Sequence, residues 1–442
     1  MNNPILTISN SCTVTGMGRD AMRELTTRLT LDNPAYAEAV KYGRYAGNIS
    51  RQLRFYEEEQ DSLTFPRGFA RQACSIIGGL QINDQRRVLT PMKCRLRGNL
   101  RPYQKEAVSM LLQRDFGVLE APTGSGKTVI ALAVLAERKQ PTLILVHNKE
   151  LLYQWQDRIR LFLNMEAGLI GDGNCDLQPV TIAIVNTARK HLNELLQHFG
   201  FLIVDECHRC PSAMFTEVVA AFDCRYMLGL SATPFRRDKL TRVIYLYLGD
   251  RVHRIDQKEL QQNGAVLKPE VIWHKTAFDY NYRDDYQAML SALTESSSRN
   301  QQIIETVANG LDNGITLLVS DRVSHCETLA NMLKQQGIKT AMLTGQTPKK
   351  KRQAVVEQVQ SNGVKALVAT IQLLGEGFDC PNLSSLVLTT PIKYSGRLIQ
   401  VGGRILRPTD GKKPVIYDFV DTQVGVLRAS AKGRQRVYEA YR

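Results

Sequence analysis

The sequence predicts an α/β fold of two parallel sheets in tandem, with a small accessory domain in front. Three observations predict it. From about Leu96 onward, short apolar runs alternate with loops and helical stretches, which is the rhythm of parallel strands covered on both faces. That rhythm lapses around residues 255–300 and then resumes, so two sheets follow one another across a connector. A chain of 442 residues is long for one domain and has enough length for separate cores.

Taken in order, residues 1–95 carry amphipathic stretches (DAMRELTTRL, PAYAEAVKYGRY) and an acidic cluster, EEEQD. They read as an accessory domain with no chemistry of their own. Residues 96–260 hold the first sheet, with FGVLEAP, PTLILVH, VTIAIVN, FLIVDE and YMLGLSAT as strands. Residues 261–442 hold the second, with ITLLVSD, TAMLTG, KALVAT, SSLVLTT and PVIYDF. The tail KGRQRVYEAYR reads as a C-terminal helix docked on the second sheet.

The first sheet carries the clearest chemistry. Between the strand FGVLE and a helix lies APTGSGKT, comprising Ala121, Pro122, Thr123, Gly124, Ser125, Gly126, Lys127 and Thr128. Glycines let backbone N–H groups close around phosphates, and a helix starting at Lys127 points its positive end at them. Lys127 reaches the β- and γ-phosphates of a nucleotide, and Thr128 can hold Mg²⁺. Some 80 residues later, FLIVDECH ends a strand on Asp205 and Glu206. Ligands of open α/β sheets gather at the carboxyl ends of strands. Asp205 is therefore placed for Mg²⁺ and Glu206 for the proton of an attacking water. ATP and Mg²⁺ are the expected cofactors.

In the second sheet, LIQVGGRILRP offers Arg404 and Arg407, which are three apart and share a face if helical. Taken singly, they read as a solvated basic face. An arginine that reaches the γ-phosphate from a neighbouring domain makes hydrolysis depend on closure.

In this order the motifs resemble the superfamily-two helicases and translocases, over about three-quarters of the chain. LRPYQ resembles the adenine-recognising motif, with Gln104. APTGSGKT is similar to the family's Walker A form with Ala121 first, and DECH resembles a DEAH-type Walker B box. SATPFRR resembles the coupling motif, with Ser231, Ala232 and Thr233. LVATIQLLGEGFD and QVGGRILR resemble motifs five and six. RPYQ, the cysteine of DECH and LGLSATPFRRD resemble the branch containing XPB, RadD and UvsW. The resemblance implies two RecA-like domains with ATP between them. It also implies that Gln400, Arg404 and Arg407 line that cleft and that Gly377 and Asp379 lie near the ribose. A nucleic-acid strand is implied to cross both sheets away from ATP, and the resemblance gives residues 1–95 a role in engaging duplex or damaged DNA as an expectation. Asn148, Lys149, Thr187, Arg189, Ser320, Arg322 and Thr370 are its expected phosphate contacts, which position a backbone without reading sequence.

The implied function is an ATP-dependent DNA helicase or translocase acting on single-stranded, forked or branched DNA, in repair or recombination. The alternatives are a nucleotide-switched clamp without stepping, and an RNA helicase. The formal charge of +14 is compatible with a polyanionic partner without naming it. The basic run TPKKKR stands open between solvated helix face and phosphate contact, and FRRD between nucleic acid and cleft. No run nears the ~18 apolar residues of a membrane span. Nine scattered cysteines suit a reducing, cytoplasmic setting, and Cys207 with Cys210 lacks a second metal-ligand pair. Oligomeric state is not readable, and a monomer is compatible with the motifs.

Overall fold

The computed structural model describes residues 3–209, 213–232, 240–311, 314–374, 380, 382–392, 395–409 and 411–439. Two compact units result. One takes in Met1–Ala121 and Gly126–Arg254, the other Pro122–Ser125 and Ile255–Arg442.

The first unit is built on an eight-stranded sheet. Its order is Asn174–Cys175, Gly168–Gly171, Val180–Ile184, Thr142–Val146, Phe201–Val204, Tyr226–Ser231, Phe116–Glu120, Arg251–Arg254. All pairings are parallel except that of the outermost Asn174–Cys175. Thr142–Val146 and Phe201–Val204 are buried at every position, as central strands under two helical layers must be. The helix Lys127–Arg138 buries each residue from Ile130 to Ala136, so it runs through the core instead of lying on its surface.

The second unit is a six-stranded, wholly parallel sheet. Its order is Glu270–Lys275, Val415–Val420, Leu383–Leu388, Ile315–Ser320, Ala366–Thr370, Thr340–Leu343. The C-terminal helix Gly425–Glu439 docks on it through buried polar bonds. The Arg434 guanidinium donates to both carboxylate oxygens of Asp418, at 2.8 and 2.7 Å, and the Tyr438 hydroxyl donates to Asp418 at 2.7 Å. Asp418 is fully buried, so the arginine offsets a charge that could not otherwise be there.

Two strands lie where the rhythm lapses, Arg251–Arg254 just before residue 255 and Glu270–Lys275 beyond it. Both are sheet edges with every residue half-exposed or exposed, and charged residues at each end cut short the apolar run that marks an inner strand.

The accessory domain contains the amphipathic helices Arg19–Arg28 and Pro34–Lys41. It also holds a five-stranded sheet ordered Glu57–Glu59, Ser62–Pro66, Ser11–Thr15, Ile5–Ile8, Gln81–Asp84. Its core of Leu6, Val14, Leu25, Leu63, Phe65 and Phe69 continues into Leu246 of the helix Thr241–Leu248. Arg67 is 2% exposed and crosses the junction, donating to the carbonyls of Cys224 at 2.7 Å and Ser9 at 3.3 Å. Beside it, a Cβ on Gly68 would lie 2.5 Å from the Leu246 oxygen and the Gly249 nitrogen, and against the Tyr245 oxygen. Backbone cannot yield there as a side chain can. Gly68→Ala is therefore expected to destabilise the first unit by ~1–3 kcal/mol, read as a lower denaturant midpoint at unchanged slope.

Candidate active site

Parallel pairing brings the carboxyl ends of the first unit's strands to one edge, and the sequence places its polar residues there. The strand Phe116–Glu120 leads into the glycine-rich turn, where the Ala121 amide donates to Ser231 O at 2.9 Å. Gly124 (φ +90°) and Gly126 (φ +79°) take the left-handed backbone that the turn requires. The helix from Lys127 has no side-chain cap at Gly126 and no acid in its first turn. Its first amides and its dipole are therefore left for an anion. Lys127 Nζ folds back to donate to Ala121 O at 3.0 Å, spanning the mouth of the turn. A Cβ on Gly126 would lie 2.6 Å from Gln104 Nε2, so the Gln104 carboxamide packs directly on the turn. Its Oε1 accepts from the Arg101 amide at 3.0 Å, as a cap of the helix Pro102–Leu112. This donor set fits a nucleotide's phosphates.

The neighbouring strand Phe201–Val204 ends in Asp205 and Glu206. Glu206 adopts φ +47°, a conformation an acidic residue seldom takes, and so turns sharply out of the strand. Asp205 is 7% exposed and held on both sides. Trp155 Nε1 donates to its Oδ2 at 2.8 Å and the Glu206 amide to its Oδ1 at 2.9 Å. Burial, then the adjacent Glu206 charge, pushes the Asp205 carboxyl up to about 6. Burial also acts to raise Glu206, but His208 and the Lys127 charge outweigh it and hold that carboxyl down at about 2. Of the two acids, Glu206 is the more firmly ionised.

His208 Nδ1 lies 3.3 Å from Glu206 Oε2 and 3.4 Å from Ser231 Oγ, so it links the acidic strand end to Ser231. Ser231 is fully buried and Ala232 is 6% exposed. The sequence reading did not pick out Trp155 or His208. His208 stands in DECH and Trp155 ends VHNKELLYQW, 50 positions before Asp205, but neither motif singles the residue out for a role.

Asn148 Oδ1 accepts from the Leu151 amide at 2.9 Å, so its carbonyl caps the helix Lys149–Leu163. Lys149 opens that helix, half-buried. Thr187 and Arg189 lie on the short helix Val185–Lys190, also at the carboxyl edge. Arg189 pairs with Glu217 at 2.8 Å, with both side chains 48% exposed. Such a pair is weak enough to exchange for phosphate.

In the second unit two of the expected phosphate contacts, Ser320 and Thr370, are buried. Ser320 is fully buried. Its hydroxyl accepts from the Arg322 amide at 3.1 Å and lies 3.0 Å from His325 Nδ1. His325 Nε2 lies 2.9 Å from Asn300 Oδ1, an acceptor, so Nε2 carries the proton and Nδ1 accepts from Ser320. Burial and the Arg299 charge push His325 down to about 3, so it stays neutral. Ser320 therefore shapes the turn that holds Arg322. Thr370 is only 6% exposed at the end of Ala366–Thr370. Arg322 is half-exposed and donates to Gln287 Oε1 at 2.5 Å.

Arg404 lies in the last turn of the helix Ser395–Ile405, but Arg407 lies beyond its end. The expectation that they share a helix face is corrected: Pro408 follows, and a residue before proline avoids the helical region. The Arg407 carbonyl accepts from Lys412 Nζ at 3.0 Å, and Leu406 O from the Leu267 amide at 2.8 Å. Arg352 of the basic run donates to Thr347 O at 2.9 Å and Gly345 O at 3.1 Å, which ties it to its own turn. Thr233, Arg236, Arg237, Cys210, Gly377, Asp379 and the side chain of Gln400 lie outside the described residues. Cys207 packs in the core of the first unit. Among the described residues, no helix is long and apolar enough to cross a membrane.

Two family models match in succession. The type III restriction enzyme res subunit matches residues 97–236, and the helicase conserved C-terminal domain matches residues 298–409. A chain of Escherichia phage T5 named as a probable helicase is 27% identical over 331 residues, covering 73% of this chain and 72% of that one. The DNA 3'-5' translocase XPB2 of Sulfurisphaera tokodaii is 24% identical over 379 residues, covering 76% and 84%. An HsdR subunit fragment of a type I restriction enzyme from Vibrio vulnificus YJ016 shares the fold with TM-score 0.60 at 20% identity, covering 75% and 66%. S. cerevisiae Dbp5 bound to RNA and ADP BeF3 shares it with TM-score 0.56 at 14% identity, covering 77% and 93%. These likenesses make the two parallel sheets tandem RecA-like domains. The chain belongs to the superfamily-two helicases and is related to their XPB branch.

Proposed function

We propose that the protein is an ATP-dependent DNA translocase that remodels forked or branched DNA, in repair or recombination. The observation that carries this reading is the shared strand edge on which Lys127, Asp205 and Glu206 meet, in a chain whose second sheet supplies Arg404 and Arg407. The net charge of +14 suits a polyanionic track.

Lys127 leaves the Ala121 carbonyl to bind the β- and γ-phosphates, with Gln104 beside the turn selecting the base. Thr128 and Asp205 would hold Mg²⁺, which would supply positive charge to the phosphates. Ionised Glu206 orients a water and takes its proton. Arg404 and Arg407 meet the nucleotide from the second domain, so binding favours the closed state over the open one. Gly377 and Asp379 lie near the ribose, and Ser231, Ala232 and Thr233 couple the site to the strand through His208. Asn148, Lys149, Thr187, Arg189 and Arg322 grip phosphates with a strength that differs between the two states.

Trp155 positions Asp205. Trp155→Phe leaves a buried carboxylate oxygen without its donor, and the Mg²⁺ concentration for half-maximal turnover is expected to rise about 10-fold or more. The function is tested by ATPase stimulation across single-stranded, forked, four-way-junction DNA and RNA. Strongest stimulation by forks or junctions is expected. Equal or stronger stimulation by RNA would overturn the DNA assignment.

A further inference from the structure

Between the accessory sheet and the helix Pro102–Leu112 the chain runs as a strap without regular secondary structure, and no helicase motif accounts for it. It is pinned to the first unit at both ends. The Met92 amide donates to Lys139 O at 2.7 Å and the Arg97 amide to Phe162 O at 2.6 Å. Leu89 exchanges two hydrogen bonds with the Gln140 side chain, at 2.8 and 3.0 Å. Between the pins the strap lines a trough of about 1090 Å³.

The arch alternates in the period-two manner of extended chain. Met92, Cys94 and Leu96 are half-buried, whereas Lys93, Arg95 and Arg97 are exposed. With Lys139 they put four cations on the trough, joined by the amides Asn99 and Asn164, and no carboxylate lines it. None of the four is in an ion pair among the described residues. Glu166, next to the lining residue Met165, is occupied by Arg160 at 2.8 Å. Unpaired cations at ~6.6 Å intervals, two extended residues apart, form a ladder suited to a chain of phosphates.

Its place in the fold sets it apart from the ATP edge. The helices Lys127–Arg138 and Lys149–Leu163 start at the carboxyl edge and end at the trough. At 1.5 Å per residue, they put it roughly 20 Å from the glycine turn. We propose that this trough is a second nucleic-acid site, which holds the phosphate backbone of a further arm of a branched substrate while the strand edges grip the translocated strand. The inference rests on the proposed DNA function and adds a second contact to it.

The test is the triple variant Lys93→Gln, Arg95→Gln, Arg97→Gln in the full chain. All three residues are exposed and make no ion pair among the described residues, so the melting temperature is expected to stay within a few degrees. Binding of a labelled four-way DNA junction and of a short single strand is titrated across salt concentrations, beside single-strand-stimulated ATPase. Junction affinity is expected to fall ~10-fold or more, and the salt slope to drop by up to about three. Single-strand affinity and stimulated turnover should hold. Unchanged junction affinity and slope would overturn the site, as would a lowered melting temperature alone, which would make the cations mere partners of the helix C-terminal dipoles. Equal loss for single strand and junction would overturn its separateness. Failure of the wild-type chain to bind any nucleic acid would instead sink the underlying function.

Discussion

Glu206→Gln should lower ATP turnover by ~10²–10⁴-fold while ATP still binds. The substitution keeps shape and removes the charge. Glu206 is the acid held ionised, between His208 at 3.3 Å and the Lys127 charge, whereas burial pushes Asp205 toward its neutral form. A proton acceptor for water must be ionised, and Glu206 is the more firmly so of the two. Its left-handed backbone, φ +47°, sets the direction of the side chain, and glutamine inherits that geometry. Loss of turnover with retained nucleotide affinity, measured by steady-state ATPase and by fluorescent-nucleotide titration, is the signature of a group that acts on the reacting water. Near-normal turnover would remove Glu206 from that role and leave Asp205, with its indole clamp, as the acid to test.

Arg404→Ala carries the second large effect, ~10³–10⁵-fold on turnover, with ATP affinity changed far less. An arginine that meets charge developing on the γ-phosphate acts mostly in the transition state, so kcat falls and binding survives. Arg404 sits in the last turn of the helix Ser395–Ile405, a rigid element of the second sheet. Arg407, past the helix end, is carried by a turn tied through Lys412. Arg407→Ala is accordingly the smaller of the two. If Arg404→Ala turned over normally with DNA present, closure of the second domain on the nucleotide would not be part of the mechanism.

The inner strands were legible because burial on both faces forces apolar runs, as in ITLLVS and FLIV. The edge strands Arg251–Arg254 and Glu270–Lys275 were not, since an edge that meets water keeps polar side chains. The glycine turn and its lysine were legible because phosphate binding constrains residue type at fixed spacing. Trp155 was not, because a side chain that orients Asp205 can come from any helix that passes behind it. Ser320 was read as a phosphate contact from the resemblance of its stretch to a helicase motif. The partners that turn it inward, His325 and the Arg322 amide, depend on packing that no spacing reveals. In the accessory domain, strands of three to five residues gave no rhythm to follow.

The tie at Arg67 and Gly68 has a consequence for anyone seeking a minimal engine. Cutting the chain after Asp84 would strip cover from Leu246 and leave the Cys224 carbonyl without its guanidinium. The shortened protein would then fail by clumping, whatever the removed piece recognises. A dead truncation is therefore no proof that the first eighty-odd residues read DNA; only surface changes that spare this seam can ask that question.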